Sequence, residues 1–125
     1  MTLVDSSSWV EALRERGDPV VRARVESLLE AGDAAWCPMI RLELWRGVRA
    51  GAERRALQFL ESRIVDLKID DEVWQRAIEL MNHARSEGLT APSTDVLIVA
   101  TAMHHGVSIE HCDDHLDRLL KLRKE

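Results

Sequence analysis

Asp5, Glu43, Asp95 and Asp113 are the side chains whose type and placement point most directly to chemistry. Asp5 follows Leu3-Val4, and Glu43 lies within Ile40-Arg41-Leu42-Glu43-Leu44. Asp95 lies within Thr94-Asp95-Val96-Leu97-Ile98, and Asp113 comes soon after Val107-Ser108-Ile109. Gathered by folding, these carboxylates would raise one another's pKa unless counter-charge were present. No lysine or arginine adjoins Asp5, Asp95 or Asp113 in sequence. Divalent cations are the obvious counter-charge. Oxygen ligands suit Mg²⁺ or Mn²⁺, whereas zinc more usually recruits histidine and cysteine. Such ions activate water and stabilise the charge that develops in phosphoryl displacement.

Taken singly, each acid has a simpler reading. Asp5 can cap a helix begun by Ser6-Ser7-Ser8, and Glu43 can sit on the polar face of an amphipathic helix. Asp95 can be a first-turn acid favoured by the helix dipole, and Asp113 a turn residue. Their joint placement is what argues for a site.

The elements that must position them alternate between strands and helices. Leu3-Val4 reads as a short buried strand ending at a helix start. Two helices follow, over Ser8 to Arg16 and Pro19 to Ala31, broken at Gly17-Asp18-Pro19. Ala34 to Cys37 is a weak strand, and Pro38 opens a helix whose inner face carries Ile40, Leu44 and Val48. Gly47 or Gly51 loosens its end. After a helix over Ala52 to Ser62, Ile64 to Ile69 alternates apolar and polar residues as an edge strand does. Asp70 caps a long helix through Arg85, with Val73, Ala77, Leu80, Met81 and Ala84 on its inner stripe and Gly88 as its stop. Asp95 to Met103 is apolar on all sides, which predicts a buried helix with one acid in its first turn. Gly106 ends it, Val107 to Ile109 forms the last strand, and Asp113-Asp114 leads into an amphipathic helix with Leu116, Leu119 and Leu120.

This order predicts an α/β fold: three α/β/α layers around a central, mostly parallel sheet, with residues 1–125 forming one domain. In such a sheet, sites lie beyond the carboxyl ends of the strands, where Asp5 and Asp113 fall and Asp95 can join them.

With 17 basic and 22 acidic residues the formal charge is −5, and there is no basic tail. That argues against simple non-specific nucleic-acid binding, but a metal nuclease stays compatible because bound cations reverse the local field. Cys37 and Cys112 are isolated thiols, too few for a zinc site or a disulfide framework. The opening Thr2-Leu3-Val4-Asp5 has no signal-peptide character, and no apolar span approaches membrane length. A cytoplasmic protein without membrane insertion is the expectation.

Val4-Asp5-Ser6-Ser7-Ser8-Trp9-Val10, Glu43-Leu44 with Gly47, Thr94 to Ala102, and His111-Cys112-Asp113 with Asp117 resemble, in order, the motifs of PIN-domain ribonucleases of the VapC toxin type. Order, spacing and length make the match specific over nearly the whole chain. The resemblance implies a Mg²⁺- or Mn²⁺-dependent endoribonuclease that cleaves RNA, inhibits translation and growth, and is neutralised by a cognate antitoxin. It implies Asp5, Glu43, Asp95 and Asp113 as the catalytic, metal-binding acids, and a homodimer that joins the antitoxin in a hetero-oligomer. Ser6 occupies the family's small hydroxyl position, where it can orient a carboxylate or a metal-bound water, cap a helix, or do both. After Asp113 the sequence departs from the commoner aspartate-phenylalanine pattern and reads Asp114-His115-Leu116, with Asp117 beyond. Asp114 and Asp117 are therefore supporting candidates only, and Asp114 can simply start the last helix.

The remaining residues favour plain roles. The histidines lack a zinc-helix spacing, and the tryptophans at helical spacing suit core or interface. Arg41, Arg46 and Arg49 flank Glu43, and can meet phosphates or lie on a solvated face. Cys112 reads as a packed thiol. Three other functions compete: a housekeeping RNA-processing nuclease of the same fold, a non-catalytic RNA-binding domain, and a receiver-type Mg²⁺-binding module. The last would need paired acids after the first strand and a lysine after the last, and neither is present.

Overall fold

Leu3 and Val4 are fully buried and place strand β1 (Thr2–Val4) at the centre of a parallel sheet. The computed structural model describes residues 1–122. Asp5 then accepts the Ser7 backbone N–H at its side chain and starts α1 (Ser6–Leu13) two residues earlier than the sequence pattern predicts. The serine cluster is thus inside the helix rather than ahead of it. Asp18 caps α2 (Pro19–Glu30), whose proline takes the first position, where no N–H is needed. β2 (Ala34–Trp36) is buried throughout, and α3 (Pro38–Arg46) follows it with Ile40 and Leu44 turned inward.

α4 (Gly51–Glu61) leads to β3 (Val65–Asp66), an edge strand as expected, though far shorter than the alternation over Ile64 to Ile69 suggests. Both β3 residues are exposed, while Leu67 just beyond them is buried and donates its N–H to the Trp36 carbonyl at 2.8 Å, so the apolar alternation outlasts the strand pairing. α5 (Asp71–Ser86), capped by Asp70, packs extensively along α6 (Ser93–His105). Asp95 through Ala102 are all buried, so α6 is the central helix its composition predicts. Gly106, at φ 67°, ends α6 in the left-handed conformation that only glycine adopts freely, and β4 (Ser108–Glu110) begins one residue later than expected. α7 (Asp114–Leu122) closes the described chain with Leu116, Leu119 and Leu122 buried.

The sheet order is β3-β2-β1-β4, every neighbouring pair parallel. After β1 the chain adds strands on one side, then returns to place β4 on the other, with Val4 opposite Glu110. The crevice at such a reversal, beyond the carboxyl ends of β1 and β4, is where open α/β sheets bind ligands. Trp9 and Trp36 are buried side by side, ring centroids 5.8 Å apart, and anchor the core beneath that edge. Among the described residues no helix is long and apolar enough to cross a membrane.

Candidate metal centre

Asp5 leaves β1 at this edge, its backbone N–H donating to the Glu110 carbonyl at 2.9 Å. Its side chain is only 2% exposed. One oxygen, Oδ2, accepts from the Ser7 backbone and hydroxyl at 3.1 and 2.5 Å. The other, Oδ1, is buried with no hydrogen-bond partner. A solitary buried carboxylate oxygen costs free energy unless a cation or proton satisfies it. The helix-cap reading and the site reading of Asp5 therefore hold together, one on each oxygen.

Glu43 arrives from the middle of α3 and accepts the Ser6 hydroxyl at Oε1, 3.2 Å away. Burial raises its pKa, and the charges of Asp5, Asp95 and Asp113 raise it further, while the Ser6 hydrogen bond opposes them. Asp95, in the first turn of α6, is 7% exposed. Burial pushes its carboxyl up to about 6, with Asp113 and Asp5 adding to the effect and His115 and His111 offsetting part of it. These mutual effects place the four predicted acids in one electrostatic neighbourhood.

Asp113 sits just ahead of α7, where Oδ1 accepts the His115 backbone N–H at 2.7 Å. It thus caps the helix and faces the cluster at once. The tightest group among the described residues is Asp95, Asp113 and His115, with ligand atoms all within 4.8 Å of one another. His115 Nδ1 is 3.7 Å from Asp95 Oδ2 and 3.5 Å from Asp113 Oδ1. The sequence reading gave the histidines plain roles, and the structure brings one of them, His115, beside two of the predicted acids. The signal was present, since His115 stands where the motif departs from the family pattern.

The supporting candidates separate. Ser6 holds Glu43. Asp114 is exposed and is the first residue of α7, matching its helix-start reading. Asp117 turns to His111, 3.2 Å from Nε2. Glu110, not singled out by sequence, lies at the same edge but is already satisfied. Burial pushes its pKa up, yet hydrogen bonds from Arg24 and Ser8 outweigh this and leave it low.

The arginines of α3 also divide. Arg41 is engaged by Glu61 at 2.7 Å and Asp66 at 3.2 Å, a structural role joining α3, α4 and β3. Arg46 and Arg49 are exposed and make no ion pair among the described residues. Trp9 and Trp36 are core, Trp45 donates to Glu61, and Trp74 is 51% exposed. Cys112 is exposed rather than packed, its Sγ 3.3 Å from the Ser7 carbonyl oxygen.

The donor set fits a divalent cation: an unpartnered buried oxygen on Asp5, and further carboxylates whose protonation burial and like charge favour only when no metal is near. An acidic cluster on the switch edge of a four-stranded parallel sheet flanked by helices defines the class of protein as an α/β fold of the PIN type. The sequence matches the PIN domain family over residues 2–122, and the chain belongs to that family. Within it the chain groups with the VapC ribonucleases. It is 32% identical over 126 residues to Ribonuclease VapC11 of Mycobacterium tuberculosis, covering 98% of this chain and 93% of that one. To Ribonuclease VapC21 of the same organism it is 29% identical over 110 residues, covering 86% and 80%. The fold resembles that of FitAcB from Neisseria gonorrhoeae, with a TM-score of 0.74, 22% identity, and coverage of 97% and 94%. It also resembles VapBC2 from Rickettsia felis bound to a DNA fragment from their promoter, with a TM-score of 0.72, 18% identity, and coverage of 86% and 84%.

Proposed function

We propose that this protein is a Mg²⁺- or Mn²⁺-dependent endoribonuclease toxin, acting as one domain in the cytoplasm and neutralised by a cognate antitoxin. The observation that carries this is the unpartnered, buried Asp5 Oδ1 beside Glu43, Asp95 and Asp113 at the carboxyl edge of β1 and β4. VapC-named relatives across nearly the full chain support the ribonuclease activity. Structures of related toxin–antitoxin complexes support an antitoxin partner.

When bound, a divalent cation supplies an activated water and neutralises charge on the scissile phosphate. The chain's own residues supply position. Ser7 fixes the Asp5 carboxylate through Oδ2 and leaves Oδ1 without a partner, while Ser6 fixes Glu43. The α6 and α7 starts bring Asp95 and Asp113 in from the other side, with helix N-termini that favour ionised carboxylates. Hydrolysis then adds water across one phosphorus–oxygen bond of the RNA backbone. Inhibition of translation and growth follows from the loss of RNA. Exposed apolar side chains on the helices, Leu42, Phe59, Trp74 and Ile78 among them, offer surface for the homodimer and the antitoxin.

The test is to incubate purified, antitoxin-free protein with mixed cellular RNA in Mg²⁺ or Mn²⁺, with EDTA and Asp95→Asn controls, and to map the ends. Metal-dependent cuts lost in both controls support the reading. Intact RNA under every condition removes it.

A further inference from the structure

We propose that His115 is itself a metal ligand, and that with Asp95 and Asp113 it makes a mixed nitrogen and oxygen position that prefers Mn²⁺ over Mg²⁺. The inference deepens the metal-dependent reading above and rests on it.

The geometry argues against a simple hydrogen bond. His115 Nδ1 lies 3.7 Å from Asp95 Oδ2 and 3.5 Å from Asp113 Oδ1, both beyond the roughly 3.2 Å limit of a good N–H···O bond. Two ligands each about 2.1 Å from one ion lie about 3.0 Å apart at a right angle and about 3.4 Å apart at a tetrahedral angle. The two His115 distances therefore stand within about 0.7 Å of the spacing that one shared ion imposes, and the ligand atoms of all three residues lie within 4.8 Å of one another. The independent sign of a missing ligand is Asp5 Oδ1, buried, unpartnered and close enough to Asp95 to raise its pKa.

The backbone places the imidazole there. Asp113 Oδ1 accepts the His115 N–H, which fixes the first turn of α7, while Leu116 anchors the helix in the core. The ring is 46% exposed, so a hydrated ion can reach it. An aspartate there would complete an all-oxygen shell of the kind that suits Mg²⁺. Imidazole instead offers a softer donor, which first-row transition dications accept readily and Mg²⁺ does not.

The experiment uses metal-free full-length protein without RNA. Calorimetric titration with Mn²⁺ and with Mg²⁺ gives an affinity ratio for wild type, His115→Asp and His115→Ala. Pulsed EPR of bound Mn²⁺ on wild type, with and without ¹⁵N-histidine labelling, reports a directly bound nitrogen even if a variant folds poorly. The expected result is a histidine nitrogen coupling in wild type and a Mn²⁺ to Mg²⁺ ratio that falls about tenfold in both variants. No nitrogen coupling, or one ratio for all three proteins, overturns the proposal. RNA cleavage assayed separately keeps the readings apart: Mn²⁺ held through His115 without RNA cutting sinks the nuclease, whereas RNA cutting with no nitrogen coupling sinks only the ligand.

Discussion

The Ser6 hydroxyl donates to Glu43 Oε1 at 3.2 Å, tying the first turn of α1 to the middle of α3. It stabilises the charged form of a carboxyl group that burial and neighbouring acids push towards protonation. Ser6→Ala should therefore leave Glu43 harder to ionise and less well oriented. We expect Mn²⁺ affinity to fall about tenfold, with a stability loss of about 1 kcal/mol. Calorimetry and urea unfolding read the two effects separately, and unchanged metal affinity would confine Ser6 to helix packing.

Asp95 gives the metal-free protein a pH dependence of definite sign. Its folded pKa is raised from 3.8 to about 6, so between those values the folded state holds more protons than the unfolded chain. Stability is greatest at the acid end of this window and falls as pH rises through it, by roughly 3 kcal/mol at most. Asp95→Asn removes the penalty. The metal-free variant should be more stable than wild type at pH 7 and nearly equal at pH 4, while losing RNA cleavage by at least about a hundredfold. Equal unfolding midpoints at pH 7 would contradict the buried-acid account.

Metal binding should reverse that penalty. At a free cation concentration about one hundred times the dissociation constant, linkage adds about 2.7 kcal/mol. Thermal melts in Mn²⁺ should therefore shift upwards by several degrees and return to the starting value in EDTA. Asp5→Asn, which replaces the orphaned oxygen's carboxylate, should abolish most of the shift.

Arg46 and Arg49 continue from Glu43 along α3 and its exit, exposed and without ion-pair partners among the described residues. The chain's net charge of −5 repels RNA at a distance, so local cations matter. Replacing both with glutamine should raise KM for RNA severalfold with little change in kcat. It should also make the logarithmic salt slope of binding less negative by about 1.4. Arg76→Gln on α5 is the matched control, and an equal effect there would reduce the pair to bulk charge.

Gly106→Ala tests how the site depends on the end of α6. At φ 67° an L side chain is strained although the space around the position is open. A destabilisation of about 1 kcal/mol is expected by chemical unfolding, since the turn that launches β4 and so delivers Asp113 must still form. No loss would mean that the turn relaxes at no cost.

Periodicity and punctuation carried most of the architecture. Asp95 to Met103 could only be a buried helix, and the order of apolar runs, caps and glycines put a parallel sheet between helices. Ile64 to Ile69 alternates well and its Leu67 is buried, yet only Val65 and Asp66 pair as strand, because alternation reports which side chains face the core and not how far an edge ladder runs. The Asp5 cap was legible in the sequence, and it starts α1 at Ser6, ahead of the Ser8 start that the helical pattern suggests.

The sequence by itself determined the four candidate acids, three of them at strand ends and helix starts and Glu43 within a helix, and the family to which the chain belongs, because these follow from local residue order. Tertiary structure alone decided which partners each acid has. Hydrogen bonds and charge coupling act through space, so only folding could pair Ser6 with Glu43, withdraw Arg41 to Glu61, leave Asp5 Oδ1 without a partner, and bring His115 against Asp95.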